Sequence, residues 1–442
     1  MVATNTVAPV VINGTTEVTL SVPELNRQSS RYEISTQTLG TKEKIFKFVK
    51  KYLCEGQKFA EKEDSEVSGG VAQKPDWFDT FGVKHRKLLA FLIPPIFMWI
   101  WWWAYAIAHN VFALYATRYS LPIVMAFGSF IGGMTCEGSG AVAFPIMTLF
   151  LHINPTIARD FAIMIQSCGM TSASFTILFM RVALEWHSII FCSIGATVGI
   201  VIGMEYVDPL LSKEQKKMFF VSIWFAFACA LFLLNTQKKR KTYFNIQMFT
   251  GWKAILLVAT GFVGGILTSF AGTGVCICSF SVLTLVFNIS EKIATQTSII
   301  LMAGNTLVAF FWRAKINGDI SDEAWEYWKC TIPISVIVGP LGAFIGSYVH
   351  RQTLAWAVYV LELVALVGGF IIVKPSWTLT AICIAIIAGG FAFFFFLSKL
   401  GLYLLTTYPD HNLPTNSSNI RTQTSFANLR STKIDAVDSA GS

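Results

Sequence analysis

The sequence predicts an all-α, polytopic membrane protein built from two inverted repeats, each containing a short broken-helix or re-entrant pair. Composition is the first reason: 54% of the 442 residues are hydrophobic and only 14% are charged, with a mean hydropathy of +0.56. A soluble chain of this length cannot bury so much apolar surface, so lipid must cover part of it. Long apolar runs and a duplicated set of glycine motifs are the other two reasons.

The first 87 residues are predicted to form a cytoplasmic region before the membrane segments. Residues 1–40 offer too little apolar surface to offset the entropy of ordering, so we expect disorder there. In TKEKIFKFVKKYL (41–53) apolar residues recur at helical spacing among five lysines. This pattern is typical of a basic amphipathic helix on an anionic lipid surface, although a solvated helix that docks on another domain would show it too.

Twelve apolar runs follow, and most exceed the roughly 17 residues that a helix needs to cross a membrane. The second and third runs are short, with glycine between them, and so are the seventh and eighth. Each short pair is therefore either two thin crossings or one re-entrant hairpin. In chain order the runs cover residues 88–114, 120–136, 139–152, 159–181, 187–207, 217–234, 253–270, 275–288, 294–313, 328–349, 353–373 and 378–406. The predicted organisation is an extra transmembrane helix (88–114), repeat 1 (120–235), a basic cytoplasmic loop (236–252), repeat 2 (253–373), a final transmembrane helix (378–406) and a disordered cytoplasmic tail (407–442).

Charges in the loops predict the orientation in the membrane. The segment before Leu88 and the loop 238–241 are basic, so both should be cytoplasmic. Residues 315–326 carry one lysine against four carboxyls, a net charge of −3, and should lie outside. The number of crossings places the basic segments inside and the acidic loop outside if each short pair returns the chain to the side where it entered. Both termini are then cytoplasmic. Three lysines fall outside, against the usual bias: Lys213, Lys216 and Lys217.

Internal similarity indicates that the membrane region is duplicated. Two motifs recur with the same offset of 132 residues, and a glycine turn lies between them in both copies. Repeats separated by an odd number of crossings have opposite orientations, as in many secondary transporters. The matching segments are FIGG (130–133) with FVGG (262–265), GSG (138–140) with GTG (272–274), and FMR (179–181) with FWR (311–313).

These duplicated motifs resemble the sulfite exporter TauE/SafE family. The resemblance is carried by GSFIGGMTCEGSGAVAFPIMTLFL (128–151), GFVGGILTSFAGTGVCICSFSVLTLVF (261–287) and ISEKIATQTS (289–298), within residues 120–405. It implies a multi-pass membrane protein that moves sulfite or organosulfonates. The chain departs from the family's pattern in its polar N-terminal extension and extra helix, in its long C-terminal tail, and at Glu137, where the family tends towards glycine.

The glycine turns predict an anion cradle. A helix broken inside a membrane exposes backbone groups that lipid cannot satisfy, so breaks occur where protein or water lines them. Helix N-termini at a break carry about +0.5 of an elementary charge, and glycine lets a ligand approach the backbone closely. Glycines that only permit close helix packing are the alternative. The predicted cradle residues are Gly138, Ser139, Gly140, Gly272, Thr273 and Gly274.

Further polar residues are candidates for the same site. An ionised Glu137 would be costly in the membrane, by about 2.5–3.5 kcal/mol, so we interpret it as a proton carrier unless it lies hydrated near the outer surface. Arg181 and Arg313, at equivalent helix ends, are interpreted as anchors at the lipid interface, with anion gating as the alternative. Uncharged groups that could bind an oxyanion, or merely link helices, are Gln166, Ser167, Gln296, Thr297, Ser298 and Asn305.

The sequence thus predicts a secondary transporter of a small anion, most readily sulfite or an organosulfonate by the resemblance, that works by alternating access with a proton as candidate co-substrate. An anion channel and a transport-inactive membrane scaffold are the alternatives. The expected partners are the lipid bilayer and the anion, and nucleic acid is not expected. No enzyme activity, metal or cofactor is predicted, because four candidates are isolated and lack metal-ligand spacing: His109, His152, Glu205 and Glu362.

Overall fold

The computed structural model describes residues 86–236, 242–349 and 351–407, together with Val10–Val11 and Glu17–Val18. The two short strands pair antiparallel within a separate N-terminal unit. The amphipathic helix expected at 41–53, most of the basic loop near residue 239 and the tail after residue 407 lie outside the described residues.

The described membrane region is helical throughout. Apolar runs favour helices here because lipid leaves backbone groups no partner outside the helix itself. The helices are α1 (Arg86–Ala108), α2 (Ser120–Met134), α3 (Gly140–Pro145), α4 (Pro155–Phe179), α5 (Trp186–Ile202), α6 (Lys213–Thr236), α7 (Gly251–Ala271), α8 (Val275–Ser281), α9 (Glu291–Phe311), α10 (Asp322–Tyr348), α11 (Arg351–Val373) and α12 (Trp377–Thr407). Wider π turns extend α3 to Phe150, α5 to Val207, α8 to Val286 and α9 to Asn317.

Within the described ranges, nine helices are long and apolar enough to cross a membrane: α1, α4, α5, α6, α7, α9, α10, α11 and α12. The predicted multi-pass all-α architecture is confirmed. Three helices, α4, α6 and α10, begin well before their apolar runs, and a side chain caps each start; at α6 Ser212 accepts a hydrogen bond from the Gln215 amide. Asn154 accepts a hydrogen bond from the Thr156 amide at the start of α4, and Ser321 accepts one from Ala324 at the start of α10.

Contacts between helix termini divide the bundle into two ends. At the first, Arg118 pairs with Glu323, and Arg313 pairs with Asp160; we call this the Asp160 end. At the second, the Ile246 amide donates to Glu185, and Asn288 donates to the carbonyl of Gly401; we call this the Glu185 end. The N-terminus of α1 lies at the Glu185 end, because Thr176 near the end of α4 donates to the carbonyl of Ala90. The C-terminus of α12 lies at the same end, because Gly401 accepts from Asn288.

The short helices fold back on their predecessors as hairpins. A Cβ placed on Gly132 of α2 would lie 2.2 Å from the Ser139 nitrogen, and one on Gly264 of α7 would lie 2.7 Å from the Val275 Cα. Each short helix therefore begins against the C-terminal part of the helix before it. The α2–α3 hairpin starts beside Arg118 at the Asp160 end. The α7–α8 hairpin starts and finishes at the Glu185 end, where Tyr243 pairs with residues 288–290.

The first helix of each half packs on the fourth helix of the other half: α7 on α5, and α2 on α10. Glycines allow both crossings, because their backbones lie in contact. A Cβ on Gly261 would lie 2.0 Å from the Cys192 oxygen, and one on Gly133 would lie 2.1 Å from the Gly339 oxygen. Small residues at such crossings let membrane helices gain close van der Waals contact.

We predict that Gly261→Ala destabilises the bundle by about 1–3 kcal/mol, because the added methyl group forces two backbones apart. Thermal unfolding of the purified protein in detergent would show a lower melting temperature. Gly304→Ala is the matched control, since a Cβ at Gly304 of α9 would meet nothing within 4 Å. Equal melting temperatures for the two variants would contradict the packing argument.

Candidate functional site

Both hairpin turns depend on a left-handed glycine. Gly138 has φ +80° and Gly272 has φ +78°, a conformation that residues with a Cβ rarely adopt. Space is equally restricted: a Cβ on Gly138 would lie 2.4 Å from the Met302 sulfur, and one on Gly272 would lie 2.8 Å from the Cβ of Ala162. The two turns identified from sequence are thus equivalent in backbone geometry and in crowding.

The tips of the two hairpins touch. The Thr273 hydroxyl donates to the carbonyl oxygen of Glu137 at 3.0 Å, and the Cys276 thiol approaches the same oxygen at 3.6 Å. Gln166 of α4 donates to the carbonyl of Gly272 at 2.9 Å. Each break therefore has backbone oxygens satisfied by side chains from the other half of the chain, and α3 and α8 both begin at this meeting point.

The contact between the tips is tight around Gly140. A Cβ there would lie 2.5 Å from Gln166 Nε2 and 3.3 Å from the Thr273 methyl carbon. The sulfur of Met302 contacts the Thr273 hydroxyl at 3.7 Å. Met302 was missed in the sequence, where nothing distinguishes it from other apolar residues of its run. It lies beside both tips, at a point where a flexible thioether can give way to a ligand.

Unpartnered polar atoms mark the surroundings of the tips. Ser139 Oγ and Gln166 Oε1 are buried without a hydrogen-bond partner, and so is Gln296 Oε1. Buried polar atoms are normally paired, so such atoms point to a ligand, water or ion at the site. Ser298 is also buried and hydrogen bonds with Ser279 of α8 at 3.1 Å.

Three predicted residues lie apart from the tips. The Ser167 hydroxyl donates to Met164 within its own helix. Thr297 accepts from the Glu185 amide, and Asn305 approaches Ser193 of α5 at 3.5 Å. Thr297 and Asn305 thus link α9 to the start and the body of α5, as in the alternative that the sequence left open, whereas the Ser167 hydroxyl bonds within α4. Gly274, in contrast, lies within its turn, where a Cβ would be 2.6 Å from the Leu267 Cβ.

Two buried carboxyls lie near the meeting point. Glu137 is 0% exposed, so it is not the hydrated surface residue that the sequence allowed. Glu362 of α11 is also 0% exposed, and both oxygens of each carboxyl lack a partner. The negative charges of the two groups influence each other, so Glu362, which lies alone in its sequence run, acts in the same electrostatic environment as Glu137. The sequence already indicated that Glu362 is unusual, because it is the one charged residue in the apolar run 353–373.

A cavity of about 60 Å³ extends from the Glu185 end towards the first break. Half-buried Glu291 and Lys292 line one part of it, and buried Cys136 and Gln296 line another. Its volume is enough for a few water molecules. The cavity thus connects the surface at this end with the residue that precedes Glu137.

A network of buried ion pairs occupies the Asp160 end. Arg159 bonds Asp160 at 2.7 Å and Asp208 at 2.5 Å. Arg313 also bonds Asp160, at 2.9 Å, and Lys216 bonds Asp208 at 2.7 Å. Arg159 further donates to the carbonyl of Ser269 in the last turn of α7. The network therefore connects both halves of the chain beside the α7–α8 tip.

This network corrects two inferences from sequence. The interpretation of Arg313 as a lipid anchor is wrong, because its side chain is buried and paired with Asp160 and Asp319. Lys216, which violated the charge bias, is neutralised by Asp208 and so carries little orienting charge. The sequence signal for the network was the adjacent pair Arg159–Asp160 at the start of an apolar run, where an unpaired charge would be costly.

Among the described residues, no group of three or more His, Cys, Asp or Glu side chains is placed to hold a metal ion. The eight cysteines in this part of the chain are free thiols. The Cys276 thiol contacts the tips. Cys278 is two residues further along α8, about 200° around the helix axis, so its side chain faces away from them.

Comparison with protein families gives one result. The family model of the sulfite exporter TauE/SafE family matches residues 121–368 and, a second time, residues 257–420. Together the two matches span more than half of the chain, and residues 257–368 fall in both. No curated protein and no solved structure matches the chain. The chain belongs to the sulfite exporter TauE/SafE family of membrane transporters.

Proposed function

We propose that this protein is a secondary transporter of a small anion, sulfite or an organosulfonate, and that it works by alternating access. The observation that carries the proposal is the meeting of two glycine hairpins, which enter from different ends of the bundle and touch at Glu137 and Thr273. A binding site built from both halves becomes accessible from one end or the other when the halves move relative to each other.

The order and packing of the helices support two inverted repeats. Each half consists of a hairpin followed by three long helices: α2 to α6 in the first half, and α7 to α11 in the second. The crossings of α7 on α5 and of α2 on α10 are reciprocal, as a pseudo-two-fold axis requires. The repeated match of the family model, over ranges that overlap, agrees with an internal duplication.

The chemistry at the tips suits an anion. Two helix N-termini place partial positive charge at the meeting point without a buried cation. Uncharged groups such as Ser139 and Gln166 can donate or reorient hydrogen bonds towards sulfite or sulfonate oxygens. An ionised Glu137 would repel the anion, so anion binding requires this carboxyl to be protonated, and transport is thereby coupled to protons.

The two ends of the bundle differ in a way that fits one state of an alternating cycle. The ion-pair network lies between the second tip and the Asp160 end, while the cavity leads inward from the Glu185 end. We propose that the Asp160 end is extracellular and closed, and that the Glu185 end is cytoplasmic. A channel would need a continuous polar path, which the touching tips interrupt.

Uptake into proteoliposomes tests the function directly. We expect labelled sulfite or a sulfonate to accumulate when a pH gradient is imposed, and to exchange with unlabelled anion inside the vesicles. Sulfate serves as a comparison substrate. Conductive flux without counterflow would indicate a channel, and no flux of any of these anions would support the scaffold instead.

We predict that Gly138→Leu and Gly272→Leu each reduce uptake of labelled anion by about a hundredfold or more, because a side chain at either position fills the site and cannot adopt the turn. Gly389→Leu on α12 is the control, since a Cβ there would meet nothing within 4 Å. Near-normal uptake by both turn variants, with all three proteins equally folded by size-exclusion chromatography, would contradict the cradle.

Cysteine labelling tests the inverted arrangement. Lys315 is exposed at the Asp160 end and Asn245 is exposed at the Glu185 end. In a background without reactive thiols, we expect a membrane-impermeant reagent to label Lys315→Cys in intact cells, and Asn245→Cys only after permeabilisation. Labelling of both positions from the same side would exclude two hairpins that enter from opposite sides.

A further inference from the structure

We propose that Glu137 and Glu362 together form a two-carboxyl site that holds one exchangeable proton. The proposal rests on the transport function above and deepens it, because it names Glu362 as the second member of the coupling site. The proton is taken up from water in the cavity at the Glu185 end and returned to water at the opposite end after the conformational change.

Burial is the first argument. Both carboxyls are 0% exposed, and none of their four oxygens has a hydrogen-bond partner. A buried carboxylate without a partner is very unfavourable, because no donor replaces the lost water. A structural role would supply such donors, as the Asp160 network does for its own carboxyls. Glu137 and Glu362 have none, so a mobile proton is the species that can neutralise them.

The packing of α11 brings Glu362 to this place. Its buried face carries Ala355, Val358, Glu362 and Ala365, at helical spacing, and α11 packs on α3. Ala355 and Val358 line the same cavity as Thr135 and Cys136, which directly precede Glu137. Glu362 therefore continues the α11 wall of the cavity by one turn beyond Val358, towards the first break.

Few other ionisable groups face the pair. The thiol of Cys136 lies beside Glu137, and the Cys276 thiol of α8 contacts its carbonyl oxygen. Glu291 and Lys292 of α9 lie along the cavity lining, and the described parts of α6, α10 and α11 contribute only neutral groups there. No lysine or arginine among the lining residues other than Lys292 is available to offset a negative charge at the pair.

Electrostatics then limits the pair to a single exchangeable proton. Two neighbouring carboxylates in a medium of low dielectric constant repel each other strongly, so they are not both ionised at once. A pair with one proton carries one negative charge and repels an anion, whereas a second proton makes it neutral. Proton uptake and anion binding therefore favour each other, and by linkage each raises the affinity for the other equally.

Infrared difference spectroscopy on the purified, substrate-free protein tests the proton site without any transport. We expect an absorption from a protonated carboxyl group whose position and pH dependence both change in Glu362→Gln and in Glu137→Gln, and which disappears when both residues are replaced. Glu362→Asp keeps a carboxyl group, so it should retain the absorption at a shifted position. Glu214→Gln, at an exposed position on α6, is the control and should leave the spectrum unchanged.

Transport then tests the coupling. In Glu362→Gln, uptake driven by a pH gradient should fall about tenfold more than anion counterflow does, because the linkage between proton and anion is lost. If wild type transports anions but shows no titrating carboxyl, or if Glu362→Gln leaves both the absorption and the pH-driven uptake unchanged, the carboxyl pair is refuted while the transport function stands. Stimulation by a sodium gradient at constant pH would also overturn it. Absence of any anion transport, in contrast, refutes the underlying function.

Discussion

The turns at Gly138 and Gly272 leave backbone groups without partners in their own helices, and side chains from across the bundle satisfy them. The carbonyl of Glu137 accepts a hydrogen bond from the Thr273 hydroxyl, and the carbonyl of Gly272 accepts one from the side-chain amide of Gln166. Each break is therefore completed by the other half of the chain. The two turns therefore depend on each other's half of the chain for these hydrogen bonds.

Charge is distributed so that the middle of the bundle remains free of fixed ions. The ion-pair network of Arg159, Asp160, Asp208 and Lys216 lies near the Asp160 end, whereas the groups around the tips are hydroxyls, amides, thiols and two carboxyls without partners. A buried ion pair is tolerated where several hydrogen bonds compensate the loss of water. Near the tips, Glu137 and Glu362 lack such hydrogen bonds, which is the basis of the proton site proposed above.

Much of this architecture could be predicted from the sequence, because helices in membranes follow local composition. The apolar runs predicted the existence and approximate extent of the long helices, although the run 88–114 is interrupted after Ala108. The repeated Gly138 and Gly272 motifs identified both turns. Contacts between distant segments could not be predicted. The packing of α11 on α3 brings Glu362 into the electrostatic environment of Glu137. The rotation of α9 about its axis decides that Thr297 and Asn305 face α5 while Ser298 faces α8.

Arginine 313 shows the same limit at the Asp160 end. A basic residue at the end of an apolar run usually extends towards lipid headgroups, and the equivalent Arg181 is exposed. Arg313 can be buried because its ion pairs with Asp160 and Asp319 compensate the free energy of removing its charge from water. The duplicated motif thus has different environments in its two copies, which sequence similarity by itself conceals.

The ion-pair network has a consequence for how this protein can diverge. Its three basic members, Arg159, Lys216 and Arg313, balance its three acidic members, Asp160, Asp208 and Asp319. Loss of one member leaves an uncompensated charge among buried neighbours. Substitutions at these positions are therefore tolerated mainly as coordinated pairs, and a lineage that abandons the network must replace it as a unit.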